Sequence, residues 1–517
     1  ESPIGSSKAI CGSGVACIMA VGTLRRRRRR SHCRVSPMGA TIARVDVSAK
    51  SVSTQAERLI ISDVYYDQEG QCLRASRDAM PGETLLQEAP LITVEDVEED
   101  GSDNEAARAK RILKAFRELS AADREEALGA YCPDRELPGK KAWPPGVTED
   151  DFKMLVIFAI NTIASGPATT GFYPLSARAN HSCRPNASFS LSDGVDRENK
   201  LVVTQPLRAG DEVLPCYINE TDLLRPRARR QKLISNTWNF KCLCARCSEP
   251  DDVRIMGCPA CAGEGRRGSV TFDVECEPSV EGADARGRRW TQCTECGTRP
   301  SAEKMANLED DWLRQCSELP KGVRSMDRLR HKRYRSAIRR RPLPPPPEGT
   351  EELLALHARL VEANNAVGGE VAPVLGGHWL AGLVVGLAAE AYLLLGRAEE
   401  AAEAAEQRLA FVRRVRELGE DGLSLEDANN LALQGAAAKL EGNEDMAIEL
   451  FGEALQVLQA FGEVEEELEE YLMSELESLG VEVQFSGGPE DVESDEIEPD
   501  YSGFEFRETN EESSELA

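Results

Sequence analysis

An α+β domain followed by an all-α domain is the architecture this sequence predicts. Three observations predict it: short apolar runs broken by turn residues from Arg58 to about Ile218, cysteines in close pairs from Cys242 to Cys296, and a helical pattern rich in Ala, Leu and Glu from Glu351 to about Leu476. At 517 residues the chain has room for several such units. Hydrophobic residues make up 41% and charged residues 29%, enough for real cores, while 41 Gly and 27 Pro leave room for linkers. The formal charge is −27, but 21 acids against one base, Arg507, fall between Gly462 and Ala517. The rest is only mildly acidic, and nucleic acid is not expected as the main partner. No apolar run of about 18 residues occurs, so no membrane span is expected.

The elements follow in order. Residues 1–56 hold no Asp or Glu from Ser2 to Val45 but six consecutive arginines, Arg25 to Arg30. That composition fits an organelle transit peptide, a nuclear-targeting patch or a disordered extension. Within 57–250, RLIISDVYY and CLRASRDAMPGETLLQEAPLITVE read as strands, with Pro81-Gly82 as a turn. An acidic loop, Glu95 to Glu105, precedes a helical stretch to about Tyr131 and a second from Glu149 to Ile163, where Phe152, Leu155, Val156 and Ala159 share a face. Leu201 to Ile218 reads as strand, turn and strand, the turn lying at Arg208-Ala209-Gly210-Asp211. Residues 251–300 hold the later cysteine pairs.

Residues 301–348 read as a basic, Pro-rich linker: Lys321 to Arg341 carries ten Lys or Arg against one acid, Asp327, and Pro342 to Pro347 follows. In 349–480, aligning Gly396 with Gly442 superposes Ala401 on Ala447 and Ala405 on Phe451, a helix-hairpin spacing like that of tetratricopeptide repeats. The offset of 46 exceeds their period of about 34, so an irregular stack is expected. The acidic tail, 481–517, is expected to be disordered.

Cysteine spacing carries the first chemistry. Cys242, Cys244 and Cys247 form C-x-C-x-x-C, and Cys258/Cys261 and Cys293/Cys296 are two C-x-x-C pairs with 31 residues between them. Close pairs fit thiolate ligation of zinc in a reducing compartment better than a disulfide framework. The four later cysteines read as a ribbon-like site, with free buried thiols as the alternative. The first three lack a fourth ligand.

The remaining motifs complete a pattern. GQCLRASRDAMPGETLLQEAP (70–90), SARANHSCRPNASF (176–189), GDEVLPCYIN (210–219) and FKCLCARC (240–247) occur in that order. In this order they resemble the SET-domain protein lysine methyltransferases, most closely the SET-and-MYND-domain group, whose members also carry a helical, tetratricopeptide-like C-terminal region. One departure is large: the MYND zinc module is missing, because between Pro90 and Phe152 there is only Cys132 and no His.

The resemblance implies a SET fold of short strands with a helical insertion over 57–250, its post-SET segment closed by zinc. It implies S-adenosylmethionine as cofactor and lysine side chains of protein or peptide substrates as methyl acceptors. Cys183 would be the fourth zinc ligand beside Cys242, Cys244 and Cys247, giving about two zinc ions per chain with the ribbon. Tyr217 would be catalytic, its hydroxyl beside the methyl. Gly70, Gln71 and Leu73 would line the cofactor, with Asn161 at its amino-acid end and Asn180 and His181 contacting it largely through backbone. Trp238 and Phe240 would form an aromatic wall, Phe240 near the adenine; family members usually have Tyr or Phe where Trp238 stands.

Taken singly, the residues allow other readings: Asn-His-Ser-Cys fits a turn with a core histidine, and Tyr217 fits a core tyrosine. An alternative from another class is a catalytically silent SET-fold scaffold that binds partners through its helical repeats. The resemblance and the basic stretch favour nucleus and cytosol over organelle import, and a monomer is expected.

Overall fold

The computed structural model describes residues 58–68, 71–95, 105–132, 146–166, 169–191, 198–275, 278–365, 377–419, 422–461, 466–482 and 507–508. The N-terminal segment, Gly70, residues 96–104 of the acidic loop and nearly all of the acidic tail lie outside the described residues.

The opening strands are short, separated by turns: β1 (Leu59–Ser62), β2 (Val64–Asp67), β3 (Cys72–Ala75), β4 (Thr84–Glu88) and β5 (Ile92–Glu95). Gly82 takes φ +91° in the Pro81-Gly82 turn before β4, a conformation glycine adopts without steric cost. The helical insertion comprises α1 (Glu105–Glu118), α2 (Ala121–Leu128) and α3 (Glu149–Asn161). A capping box starts α3: Thr148 Oγ1 accepts from the Asp151 amide, and the Asp151 carboxylate accepts from the Thr148 amide. Buried Arg58 pairs with Asp123, at 3.2 Å, and with Glu126, which pins α2 against the start of the domain. After β6 (Thr162–Gly166), β7 (Thr169–Phe172), β8 (Ala187–Leu191) and β9 (Asn199–Val203), two sheets are complete, ordered β1-β4-β9-β8 and β5-β7-β6, beside the β2-β3 hairpin.

The turn at Gly210 forms as expected, but the strand expected after it does not. Glu212 bridges only to Arg74, and Val213 N donates to Leu73 O at 2.8 Å. Beyond that the chain is laced to the loop 180–186: Ser182 N donates to Pro215 O (3.1 Å), Asn186 N to Leu214 O (3.0 Å), and Leu214 N to Asn186 Oδ1 (2.8 Å). A loop, not a neighbouring strand, satisfies these main-chain groups.

Short helices α4 (Glu220–Leu223), α5 (Arg227–Trp238) and α6 (Ala245–Ser248) lead into a ribbon of β10 (Asp251–Gly257), α7 (Pro259–Gly263), β11 (Ser269–Glu275) and β12 (Arg288–Trp290). The stretch expected to be a linker is corrected over 302–338, which holds α8 (Ala302–Glu318) and α9 (Met326–Ile338). Met305, Ala306, Trp312, Cys316 and Leu329 from these helices are buried. Two cations of that basic stretch are buried too: Arg330 and Arg333 both pair with Glu390, and Arg330 also with Glu426 at 2.8 Å. His331 pairs with Glu467.

The stack continues with α10 (Thr350–Asn365), α11 (Trp379–Leu394), α12 (Ala398–Arg416), α13 (Leu425–Leu440), α14 (Glu444–Ala460) and α15 (Glu466–Ser478). The aligned glycines Gly396 and Gly442 both turn in the left-handed region, at φ +74° and +80°. Their partners Ala401, Ala405, Ala447 and Phe451 are all fully buried. Among the described residues no helix is long and apolar enough to cross a membrane.

Candidate active site and metal centres

The lacing of 180–186 with 212–217 brings the predicted residues together. Tyr217 stands where the second segment leaves the first. Its hydroxyl donates to Ala179 O at 2.6 Å, and its amide donates to His181 Nδ1 at 3.1 Å. Its ring lies 5.3 Å from that of His181 and 5.2 Å from that of Trp238. Burial pushes the Tyr217 hydroxyl well above the usual phenol range, so it stays protonated. Burial pulls His181 down to about 4. With Nδ1 accepting, the neutral ring carries its proton on Nε2, 3.3 Å from Cys183 Sγ.

Trp238 ends α5 and donates from Nε1 to Ile160 O at 2.9 Å, which fixes the indole against the end of α3. Asn161, the next residue, gives its amide hydrogens to Tyr131 O (2.8 Å) and Ile157 O (2.9 Å). Asn180 donates to Gln71 O (3.2 Å) and Glu212 Oε1 (2.9 Å), so it joins the start of β3 to the laced segment. Gln71 itself takes φ +49°. The Leu73 side chain is fully buried in the sheet core, so that only its backbone faces the laced segment, where its carbonyl accepts from Val213 N at 2.8 Å. Phe240 packs with Trp238 against Cys183, Ile218 and Ile234.

Sequence reasoning missed three residues that hold this arrangement. Glu212, in the turn motif, fixes Asn180. Buried Glu88 accepts from the amides of Leu175 (2.9 Å) and Ser176 (2.8 Å) and so orients the lead into 180–186. Arg230 is fully buried beside the cysteine cluster and donates to Arg225 O at 2.5 Å. An interaction read only across the fold leaves no local signal, and Arg230 lies in RARRQK, which looks like a solvated helix face.

Four sulfurs, Cys183, Cys242, Cys244 and Cys247, lie within 4.8 Å of one another, and those of Cys183 and Cys247 are 3.6 Å apart. A tetrahedral zinc with bonds of about 2.3 Å requires sulfurs about 3.8 Å apart, so the set fits. Arg230 supplies a second test: its Nε and Nη2 are buried with no hydrogen-bond partner. Burial alone would lower its pKa, but the charges of Cys183 and Asp251 hold it above its ordinary value. A zinc with four thiolates, of net charge about −2, would match this buried cation.

The ribbon cysteines fit as well. Cys258, Cys261, Cys293 and Cys296 meet the same 4.8 Å limit, with sulfur separations of 3.7 Å for Cys258 to Cys296 and 3.6 Å for Cys261 to Cys293. A Cβ on Gly268 would stand 2.4 Å from Cys293 Sγ and 2.7 Å from Cys261 Sγ, so only glycine fits against this cluster. Hydrogen bonds from Thr298 bring Cys296 down to about 6, favouring its thiolate.

Comparison with known proteins agrees with this geometry. The SET domain family matches residues 70–218. Histone-lysine N-methyltransferase set5 of Schizosaccharomyces pombe is 32% identical over 91 residues, 18% of this chain and 27% of that protein. Protein-lysine N-methyltransferase SMYD4 of Homo sapiens is 29% identical over 162 residues, 31% of this chain and 17% of its own. Protein-lysine N-trimethyltransferase SMYD5 of Gallus gallus is 30% identical over 112 residues, 22% of this chain and 26% of its own. The chain thus matches only 17% to 27% of the length of these relatives. It carries a SET domain and through it is related to the SET-and-MYND group of protein lysine methyltransferases.

Proposed function

We propose that the chain is an S-adenosylmethionine-dependent methyltransferase acting on lysine side chains of protein substrates, with zinc in both four-cysteine sites. The observation that carries the reading is the hydroxyl of half-buried Tyr217, protonated and anchored on Ala179 O between the rings of His181 and Trp238. The relatives' names specify histone-lysine and protein-lysine substrates, which supports a protein acceptor and a nuclear and cytosolic setting.

When bound, S-adenosylmethionine supplies an electrophilic methyl group on a sulfonium. The chain's own residues do the rest. Tyr217, Trp238 and Phe240 form a partly buried aromatic wall that excludes water from the acceptor. A lysine amine desolvated there gives up its proton more readily, and the neutral amine is the nucleophile. Tyr217 holds its proton and presents a fixed oxygen, which positions the reacting groups without titrating. Asn180, Gln71 and Asn161 border the cofactor side. Zinc at Cys183, Cys242, Cys244 and Cys247 would tie the segment carrying Phe240 to the loop carrying His181, so metal and cofactor affinity are coupled.

A cleft of about 390 Å³ lies between this domain and the end of α12, with Asn186, Asp211 and Glu212 facing Arg416 and Glu417. We assign the substrate's approach to it. The test is calorimetric titration of the zinc-loaded chain with S-adenosylmethionine, followed by transfer of labelled methyl to a proteome extract and mass spectrometry of the products. Binding with methyl-lysine formation is expected; lack of cofactor binding would instead favour the silent scaffold.

A further inference from the structure

We propose that the ion held by Cys258, Cys261, Cys293 and Cys296 fastens the helical stack to the SET domain and so sets the width of the cleft, while the Cys183 site serves the cofactor side. This rests on zinc at the ribbon, one part of the reading above, and not on methyl transfer.

The ribbon has no core of its own. Cys258, Cys261 and Cys293 belong to one continuous cluster with Phe272 and Trp290 of the ribbon and Met305, Trp312, Leu356 and Leu387 of α8, α10 and α11. Three short strands are marginal as an independent unit, so an ion that closes the long loop between the two cysteine pairs supplies what packing lacks. Gly268, forced against two of the sulfurs, shows how tightly the backbone encloses the site.

From that site the strand β10 reaches both ways. On one side Arg254 lies 3.4 Å over the Phe272 ring and makes a two-pronged pair with Glu309 of α8, at 2.7 and 2.5 Å. Glu309 accepts in turn from His378 Nε2 at 3.1 Å, and His378 caps α11 by accepting from Leu380 N. On the other side Val253 packs with Leu224 of the SET side and Phe411, Val412 and Val415 of α12. Arg414 of α12 donates to Asp252 O at 3.0 Å, and Arg225 stacks 5.0 Å over Trp379. Two residues beyond Arg414, Arg416 pairs with Glu220 at 2.7 Å and, with Glu417, forms the far wall of the cleft. A metal that fixes β10 therefore fixes α12, and α12 fixes that wall.

The test uses the full chain. Wild-type protein should hold two zinc ions, and Cys293→Ser one. In that variant hydrogen exchange in α8, α11 and α12 should speed up by about tenfold or more, the scale of a loosened cooperative unit. Exchange in β4, β8 and β9 and the affinity for S-adenosylhomocysteine should stay within about twofold, as expected of a unit that opens separately. Arg254→Gln keeps all four thiolates and guards against a variant that fails to fold: it should retain two zinc ions and still speed exchange in α8 and α11. Two zinc ions in Cys293→Ser, unchanged helix exchange in either variant, or equal loosening of the SET strands would overturn the proposal. A wild-type chain that binds no cofactor would count against methyl transfer while leaving the zinc-content and hydrogen-exchange readouts intact.

Discussion

Replacing Glu309 by Gln removes the carboxylate at which Arg254 and His378 converge, and the structure fixes what that should cost. The group is nearly buried, which by itself raises its pKa, but hydrogen bonds from His378 and Arg254 outweigh burial and bring it from 4.5 to about 2. A depressed carboxylate adds stability that is fully present above its unfolded pKa and lost as pH falls toward the folded value. The gap from 4.5 to about 2 corresponds to about 3 kcal/mol at neutral pH. Removing one partner of a buried pair gives the same scale, about 3 to 5 kcal/mol. Trp290, Trp312 and Trp379 all lie in or against the ribbon-helix core, so their fluorescence during guanidinium unfolding follows this unit. Glu309→Gln should be less stable by about 3 kcal/mol at pH 7, and the difference should narrow by about 1 kcal/mol at pH 4 as the wild-type carboxylate begins to protonate in the unfolded chain. A difference below about 1 kcal/mol at pH 7, or one that grows on acidification, would refute the clamp.

Two more perturbations probe the site. Cys244→Ser should lower zinc content from two ions to one and weaken S-adenosylmethionine binding by about tenfold or more, read by metal analysis and calorimetry; retention of both ions would show that the ligands are misassigned. Trp238→Phe loses the 2.9 Å bond to Ile160 O, costing about 1 kcal/mol in thermal or denaturant unfolding, and leaves more space beside Tyr217. Mass spectrometry of its products should show a shift toward more highly methylated lysine, and an unchanged distribution would remove Trp238 from control of the channel.

Much of the site was legible because its chemistry demands particular residues at fixed spacing. The sulfurs of Cys258, Cys261, Cys293 and Cys296 converge as two C-x-x-C pairs must to share an ion, and Cys183 meets the C-x-C-x-x-C group as the resemblance implied. Turns announced by Gly82 and Gly210 form where expected, since both take positive φ. What stayed hidden depends on partners far away in sequence. Arg330 and Arg333 lie in a stretch that read as a basic linker because charge normally seeks water; Glu390 and Glu426, 57 to 96 residues on, make their burial tolerable. Segment 212–218 looked like a strand because Val213 and Ile218 are apolar, yet its hydrogen bonds go to the loop 180–186. Leu73 matched the motif, but only the sheet shows that its side chain points into the core.

The most direct measurement of the central claim is methyl transfer by the zinc-loaded chain compared with Tyr217→Phe, each also titrated with S-adenosylmethionine. Removing one hydroxyl should leave folding and cofactor affinity nearly intact and cut the rate of methyl-lysine formation by about a hundredfold, the scale of one positioned polar group in a catalytic site. Equal rates in the two proteins would contradict the account and remove Tyr217 from the mechanism.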